Sequence, residues 1–116
     1  MQSRLQEEIA RAKRYNTPFT VLQFEAIRPD GLPMHKKMKY AMDVVLASVR
    51  TSDVVALAFE DTIVALLVQT DFACAKDALH RIRNRFAPQG GTWRLSVYVF
   101  PDDAALIEAL PVLTAA

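Results

Sequence analysis

The order of the elements that the sequence predicts indicates a single α/β domain with a ferredoxin-like β-α-β-β-α-β core, in which a mainly antiparallel sheet carries flanking helices. Two observations support this fold class. Segments with apolar residues at helical spacing alternate with continuous, β-rich apolar runs. The 116 residues, of which 52% are hydrophobic, suffice for one core and contain no stretch long enough to link two domains. We therefore interpret residues 1–116 as one domain.

The first half of the chain predicts two helices with one strand between them. Apolar residues recur every three or four positions over residues 2–15 and 34–50, which is typical of helices with one buried face. Residues 19–27 are rich in aromatic and β-branched side chains and predict the first strand. Pro18 separates the first helix from this strand, because the residue before a proline is pushed out of the α region.

The next segment predicts a hairpin and a third helix. Residues 53–58 and 62–69 are continuous apolar runs, which favours two adjacent strands of a buried hairpin. Apolar residues at 3-4-3-4 spacing from Phe72 to Phe86 then predict an amphipathic helix that ends near Pro88.

The C-terminal part predicts one more strand and a short helix. Residues 93–100 follow a pair of glycines and read as the last strand. Asp102 or Asp103 is expected to cap the short helix with its side chain. With this helix and the first one left out, the remaining elements follow the β-α-β-β-α-β order.

The charge and the cysteine content argue against several function classes. The formal net charge is +1, so no overall field attracts nucleic acid or a membrane surface. The longest apolar runs are far too short to span a bilayer and no signal pattern opens the chain, so we expect a cytoplasmic protein without membrane insertion. The single cysteine, Cys74, excludes an internal disulfide. The two histidines lack companion ligands, so we expect no metal site.

The candidate binding residues lie between the second helix and the next strand. Arg50 and Asp53 form an R-x-x-D motif, which is weak evidence by itself because such short motifs arise by chance. An Arg guanidinium can donate two parallel hydrogen bonds to guanine O6 and N7 or stack on the base, and an Asp carboxylate can accept from the N1-H and N2-H edge. On chemistry alone, the pair fits either a guanine site or a surface ion pair of little energetic value.

The spacing around this motif resembles the signature region of GGDEF domains, the diguanylate cyclases, whose pattern runs R-x-x-D-x-x-x-R-x-G-G-D/E-E-F. Asp53 stands six residues before Phe59, the spacing that the family keeps between its inhibitory-site Asp and the first Gly of its hairpin. Residues 8–16, E-I-A-R-A-K-R-Y-N, resemble the family's E-L-x-R-A-x-R-Y-G. The similarity covers roughly residues 5–110 and implies the same fold.

The resemblance implies that the R-x-x-D half of the signature is retained as a site for cyclic di-GMP. The family often adds a second Arg from the helix after the hairpin, and Arg81 stands at the matching place, twenty residues beyond Asp61. The ligand-binding residues implied in this way are Arg50, Asp53 and Arg81. Cyclic di-GMP is expected as the ligand, with no other cofactor.

The resemblance also implies that the catalytic half of the signature is degenerate. The hairpin reads Phe59, Glu60, Asp61 and Thr62 where the family has G-G-D/E-E. A bulky ring and a negative charge therefore stand where two glycines let the backbone approach a triphosphate.

The chain also has fewer of the carboxylate metal ligands that the family supplies. Condensing two nucleoside triphosphates requires a divalent metal held by hard oxygen ligands, and the family places Asp-x-Asp at the end of the first strand for this purpose. Here Glu25 can still act as a ligand but Ile27 cannot, and Thr62 contributes no charge at the hairpin. The resemblance thus implies a domain that is not an enzyme and has no catalytic residues.

Two other interpretations stay open at the level of sequence. The first is a nucleotide-independent structural module that forms a homodimer or docks a protein partner within a signalling assembly. The second is residual enzymology, either weak cyclase activity or magnesium-dependent GTP binding through Glu25 and Asp61. We rank the cyclic di-GMP receptor first, as a component of bacterial second-messenger signalling.

Overall fold

A computed structural model of the chain describes residues 2–28, 34–59, 61–86 and 92–110. The elements follow the order that the sequence predicts, and their ends differ from the predicted ones by two residues at most. They are α1 (Gln2–Tyr15), β1 (Phe19–Arg28), α2 (Met34–Ser48), β2 (Val54–Ala58), β3 (Thr62–Val68), α3 (Phe72–Phe86), β4 (Thr92–Phe100) and α4 (Ala104–Glu108).

The four strands form one antiparallel sheet in the order β2-β3-β1-β4. β3 is buried over nearly its whole length, because it lies inside the sheet and is covered on both faces. The predicted ferredoxin-like fold class is confirmed, since β2 and β3 form the expected hairpin and β1 pairs with both β3 and β4.

Each face of the sheet has its own apolar core. Leu22, Phe24 and Ile63 point towards α2 and α3 and pack there with Val45 and Ile82. The alternate residues of the same strands point to the opposite face, as the two-residue period of a strand requires. There they meet residues of α1 and α4; this second core includes Phe19, Val21, Leu66, Phe100, Ala12 and Ile107.

The second helix ends at Ser48, two residues before the predicted end at residue 50. An α-helix that continued would have the amide of Arg50 donate to the carbonyl four residues earlier. That amide instead donates to the carboxylate of Asp53 at 2.9 Å. The Ser48 carbonyl at the helix end accepts a hydrogen bond from Arg81 of α3 at 3.0 Å. The helix therefore ends where side chains from later in the chain form hydrogen bonds with the backbone N–H and C=O groups at its C-terminal end.

The aspartate at the C-terminal helix has a different role from the predicted one. Asp103 occupies the N-cap position of α4, but its side chain makes no capping hydrogen bond to the helix. The Asp103 carboxylate accepts instead from the backbone N–H of Val99 at 2.9 Å, which ties the start of the helix to the end of β4. The expected capping interaction was therefore wrong, although the helix itself is present.

Among the residues that the structure describes, no helix combines the length and the apolar character needed to cross a membrane.

Candidate functional site

Asp53 connects the loop after α2 to the far end of β3. Its side chain is 2% exposed. One carboxylate oxygen accepts the Arg50 N–H at 2.9 Å, and the other accepts the Val68 N–H at 3.1 Å. A carboxylate that accepts two backbone N–H groups is strongly held in place, so Asp53 fixes the position of the Arg50 backbone.

The Arg50 guanidinium is held through its Nη2 group, although much of the side chain is exposed. Its Nη2 donates to the Val68 carbonyl at 2.6 Å and to the Thr70 hydroxyl at 2.7 Å, and it lies 3.5 Å from an Asp53 oxygen. The side chain is nevertheless 59% exposed. Among the described residues, the Arg50 guanidinium donates its hydrogen bonds through Nη2, so its Nη1 and Nε donors can contact a ligand.

Thr70 belongs to this site, although the sequence reasoning did not select it. Its hydroxyl accepts from Arg50 and donates to the Val68 carbonyl at 2.8 Å, while its own carbonyl accepts from the Thr20 hydroxyl at 2.9 Å. In the sequence, the position of Thr70 was the available indication: it stands directly after a predicted strand that ends opposite the R-x-x-D loop. A hydroxyl in that place can pair with an Arg only if the two strand ends meet in space.

Arg81 reaches the same region from α3. Its Nη2 donates to the Ser48 carbonyl, and Arg85 donates to the Ser48 hydroxyl at 2.9 Å, so the two arginines join α3 to the end of α2. A cleft of about 240 Å³ lies beside these contacts, and its lining includes Arg50, Asp53 and Arg81. We call it the Arg50 cleft. The structure thus brings the three predicted ligand-binding residues to one place.

Two further polar groups lie at the start of α3 beside this cleft. The Asp71 carboxylate accepts from the Cys74 N–H at 3.0 Å, and this backbone hydrogen bond lowers the pKa of Asp71. The hydrogen bond with Asp71, followed by the negative charge of Asp71, raises the pKa of the Cys74 thiol. Cys74 is therefore a protonated thiol near pH 7, which does not favour a nucleophilic role.

The opposite end of β3 holds the residues that correspond to the family's active site. Glu25 on β1 lies directly across from Thr62 on β3 and from Arg94 on β4. Its carboxylate is 3.5 Å from the Arg94 guanidinium. The Asp61 carboxylate accepts a hydrogen bond from the Thr62 hydroxyl at 3.0 Å. We call this region the hairpin end; Glu60, the remaining predicted position, lies outside the described residues.

The residues at the hairpin end do not fit a divalent metal. Hard cations take several oxygen ligands, and within the described residues no three Asp, Glu, His or Cys side chains are grouped as a metal would require. The Glu25 carboxylate faces the positive charge of Arg94. A neighbouring guanidinium repels a metal cation, so this ion pair opposes the family's metal chemistry.

Phe59 keeps a backbone conformation that suits glycine. Its φ is 60°, in the left-handed region where a Cβ atom is disfavoured. Its side chain is among the most exposed apolar groups of the protein, at 59%. The hairpin turn thus has a backbone conformation that glycine favours, with a phenylalanine in that position.

Comparisons with known proteins give a fold but no family assignment from sequence. No family model matches the chain, and no curated protein matches it. Among solved structures, the chain is similar to a DGC protein from Thermotoga maritima, with 19% identity, a TM-score of 0.77, and coverage of 92% of this chain and 89% of that one. It is also similar to the active GGEEF domain of a diguanylate cyclase from Vibrio cholerae, with 17% identity, a TM-score of 0.62, and coverage of 80% and 67%.

A third similar structure is the diguanylate cyclase SiaD in complex with its activator SiaC, from Pseudomonas aeruginosa. The identity is 18% and the TM-score is 0.63, and the match covers 97% of this chain but only 51% of that one. The chain thus spans about half the length of that cyclase. At these identities, the three structures establish a GGDEF-like fold and leave the chemistry to be argued from the residues.

Proposed function

We propose that this chain is a GGDEF-like domain that binds cyclic di-GMP in the Arg50 cleft and does not synthesise it. The observation that carries the proposal is the convergence of Arg50, Asp53 and Arg81 on one cleft. These residues are separated by up to 31 positions in the sequence, from 50 to 81, and belong to different elements. A shared surface cleft with two cations fits an anionic ligand that carries hydrogen-bond acceptors.

In this proposal Arg50 makes the principal contact with the ligand. Its Nη2 edge is fixed by Val68 and Thr70, so little side-chain freedom remains to be lost on binding. Its Nη1 and Nε groups can each donate a single hydrogen bond to a guanine acceptor or to a phosphate oxygen, and the planar guanidinium can stack on the base. Arg81, exposed beside it, supplies a second positive charge for the phosphate.

Asp53 acts on the ligand through Arg50. Its carboxylate is buried and both oxygens already accept backbone N–H groups, so a guanine edge cannot reach it without breaking those bonds. We therefore assign Asp53 a positioning role and leave base recognition to the arginines. This assignment differs from the expectation that the carboxylate accepts from the N1-H and N2-H edge of the base.

The size of the Arg50 cleft limits how much of the dinucleotide it holds. Its volume of about 240 Å³ is below the roughly 300–1,000 Å³ of pockets that enclose drug-sized ligands. One guanine and its adjacent phosphate are a reasonable occupant, with the rest of the cyclic dinucleotide outside. That outer half is free to contact a second ligand molecule or a second protein surface.

The proposed absence of catalysis rests on the hairpin end. Glu25 faces Arg94, and Asp61 is bonded to the Thr62 hydroxyl, so neither carboxylate belongs to a cluster of hard ligands. The exposed Phe59 ring adds bulk at the turn where substrate phosphates would have to approach. These features argue against metal-assisted transfer of a nucleotidyl group.

The test of receptor function is a calorimetric titration of cyclic di-GMP into the purified chain, beside Arg50→Ala and Arg83→Ala. Arg83 is an exposed arginine on the same helix as Arg81 but is not part of the cleft lining, so its variant controls for loss of general positive charge. We expect micromolar or tighter binding that is lost in Arg50→Ala and kept in Arg83→Ala. A folded wild type that does not bind millimolar cyclic di-GMP contradicts the proposal.

A protein-docking module is the second candidate function. The similar structure of SiaD contains that cyclase with its activator SiaC, which is consistent with a domain of this fold taking a protein partner. Several large apolar side chains of this chain are exposed, including Leu57 and Phe59. If the chain does not bind cyclic di-GMP but binds a protein partner or self-associates, this candidate is favoured over the receptor.

A further inference from the structure

A second surface groove lies between α2 and the edge strand β2 and shares no lining residue with the Arg50 cleft. Its volume is about 570 Å³. The apolar part of its lining consists of Met38, Met42, Leu57 and Phe59, of which Leu57 is 46% and Phe59 59% exposed. We call it the α2–β2 groove. Two large, half-exposed side chains beside methionines are typical of a surface that contacts a partner.

The outer edge of β2 lacks the features that usually protect an edge strand. Native edges carry charged residues, proline or bulges that prevent pairing with another chain. The sequence of β2, VVALA, contains none of them. The other edge strand, β4, carries Arg94, and its pairing with β1 is irregular between Ala26 and Arg28. In the part of the chain that the structure describes, no strand pairs with the outer side of β2.

The rim of the groove carries positive charge near the N-terminal end of α2, from Lys39 in the lining and Lys36 beside it. His35 and Lys39 line it from the first turns of α2, and Lys36 is exposed beside them. Asp43 is the one acidic residue in the lining, further along the helix. A partner with carboxylates near the N-terminal end of α2 is therefore favoured by charge.

We propose that the α2–β2 groove receives an extended segment of a partner protein, which pairs with β2 as an additional strand. Its alternate side chains are apolar and lie against Leu57, Phe59 and Met42, and its acidic residues lie near Lys39. A polypeptide satisfies the unpaired N–H and C=O groups along the edge of β2 with its own main chain, which a small apolar molecule cannot do. Pockets for alternate side chains then provide the specificity, as in other cases of strand addition.

The test begins with a selection of randomised heptapeptides displayed on phage against the full chain. We expect the enriched peptides to alternate apolar residues with polar ones and to carry Asp or Glu. The binding of a synthetic copy of an enriched peptide is then measured by fluorescence anisotropy. Leu57→Asp and Lys39→Glu are each expected to weaken it roughly tenfold or more. Leu57→Asp places a charge against the apolar side chains of the segment, and Lys39→Glu places negative charge beside its acidic residues.

A matched control distinguishes binding in the groove from nonspecific binding to exposed apolar side chains. Phe72 on α3 is 54% exposed, comparable to Leu57 and Phe59, but does not line the groove. Phe72→Ser is expected to bind the peptide as the wild type does, and Phe59→Ser less well. Lys39→Glu changes an exposed helical residue, so its effect cannot be attributed to a collapsed core.

Amide hydrogen exchange distinguishes strand addition from other modes of binding. The peptide is expected to slow exchange at the outward-facing amides of β2. Three results overturn the proposal: no enrichment of peptides of this kind, equal binding to Leu57→Asp, or unchanged exchange at β2 in the complex. Self-association of the wild type that Leu57→Asp abolishes also overturns it, because a second copy would then be the occupant. The cyclic di-GMP titration is independent of each of these results.

Discussion

The two ends of β3 carry two groups of polar residues that are held in different ways. At the Val68 end, Asp53 is buried and accepts two backbone N–H groups, and Arg50 is held by a carbonyl and a hydroxyl. At the Thr62 end, Asp61 is half-buried and bonds the hydroxyl of its own neighbour. The first arrangement joins separate parts of the chain, whereas the second is local.

The comparison shows that backbone geometry and side-chain contacts at the end of a sheet are separate properties. Phe59 still has the left-handed conformation that a glycine adopts easily, and Glu25 still lies across from the hairpin. The side chains around them, however, make local contacts, and the Glu25 carboxylate lies 3.5 Å from the Arg94 guanidinium. In the Arg50 cleft, the side chains are themselves part of what holds the fold together. We therefore expect substitutions at the hairpin end to affect the stability of the fold less than substitutions in the Arg50 cleft.

The largest expected difference between the two ends is in stability. Asp53→Ala leaves two backbone N–H groups without their acceptor and is expected to lower the free energy of unfolding by about 2–4 kcal/mol. Asp61→Ala removes one partly exposed hydrogen bond and is expected to cost about 1 kcal/mol or less. Urea denaturation followed by circular dichroism measures both. An equal decrease in the free energy of unfolding for the two variants would contradict the proposed difference between the two ends.

A smaller effect is expected on ligand affinity when the second cation of the cleft is removed. Arg81→Ala deletes one charged donor and is expected to weaken cyclic di-GMP binding roughly tenfold to a hundredfold. The measurement is calorimetry on the variant and the wild type, with thermal unfolding recorded because Arg81 also bonds the Ser48 carbonyl. Affinity that is unchanged in a folded variant would remove Arg81 from the site.

The hairpin end is expected to gain stability from a substitution towards the family's pattern. Phe59→Gly relieves the cost of a Cβ atom at φ 60° and is expected to raise the free energy of unfolding by up to about 1 kcal/mol. Phe59→Ala is the control, since alanine removes the ring but keeps the Cβ atom. If alanine stabilises the protein as much as glycine does, the exposed ring and not the backbone is the source of the effect.

The smallest expected effect is a pH dependence beside the Arg50 cleft. The Cys74 N–H lowers the pKa of Asp71 in the folded state, so the stabilisation is present above the unfolded pKa, about 4, and is lost as the pH falls through the folded pKa. Asp71→Asn keeps a capping side chain but does not titrate. Below about pH 4 the wild type should therefore lose stability more steeply than Asp71→Asn, and parallel denaturation curves would contradict this.

Sequence alone predicted the fold well because its signals are local. The apolar periodicity of α3 and the continuous runs of β2 and β3 each indicate one element, and their order then restricts the topology. The two errors had one cause. The end of α2 and the cap of α4 are set by side-chain carboxylates that bond to backbone groups, and periodicity does not encode which partner a carboxylate takes.

For the candidate site, the sequence predicted which residues lie together but did not predict the contacts that each of them makes. Spacing and family resemblance selected Arg50, Asp53 and Arg81, and the fold brings them to one cleft. The burial of Asp53 and the bridging hydroxyl of Thr70 depend on how the end of β3 meets the loop after α2. The pairing of Glu25 with Arg94 depends on the register of β1 and β4, which no local pattern reveals.

The most direct test of the proposed function is a pair of calorimetric titrations on one preparation of the chain. One titrates cyclic di-GMP, and the other titrates GTP in the presence of magnesium, after which the sample is analysed for cyclic di-GMP as product. We predict micromolar or tighter binding in the first, and neither binding nor product in the second. A flat first titration with a folded protein, or magnesium-dependent GTP binding that is lost in Asp61→Ala, would contradict a receptor that has lost its catalytic site.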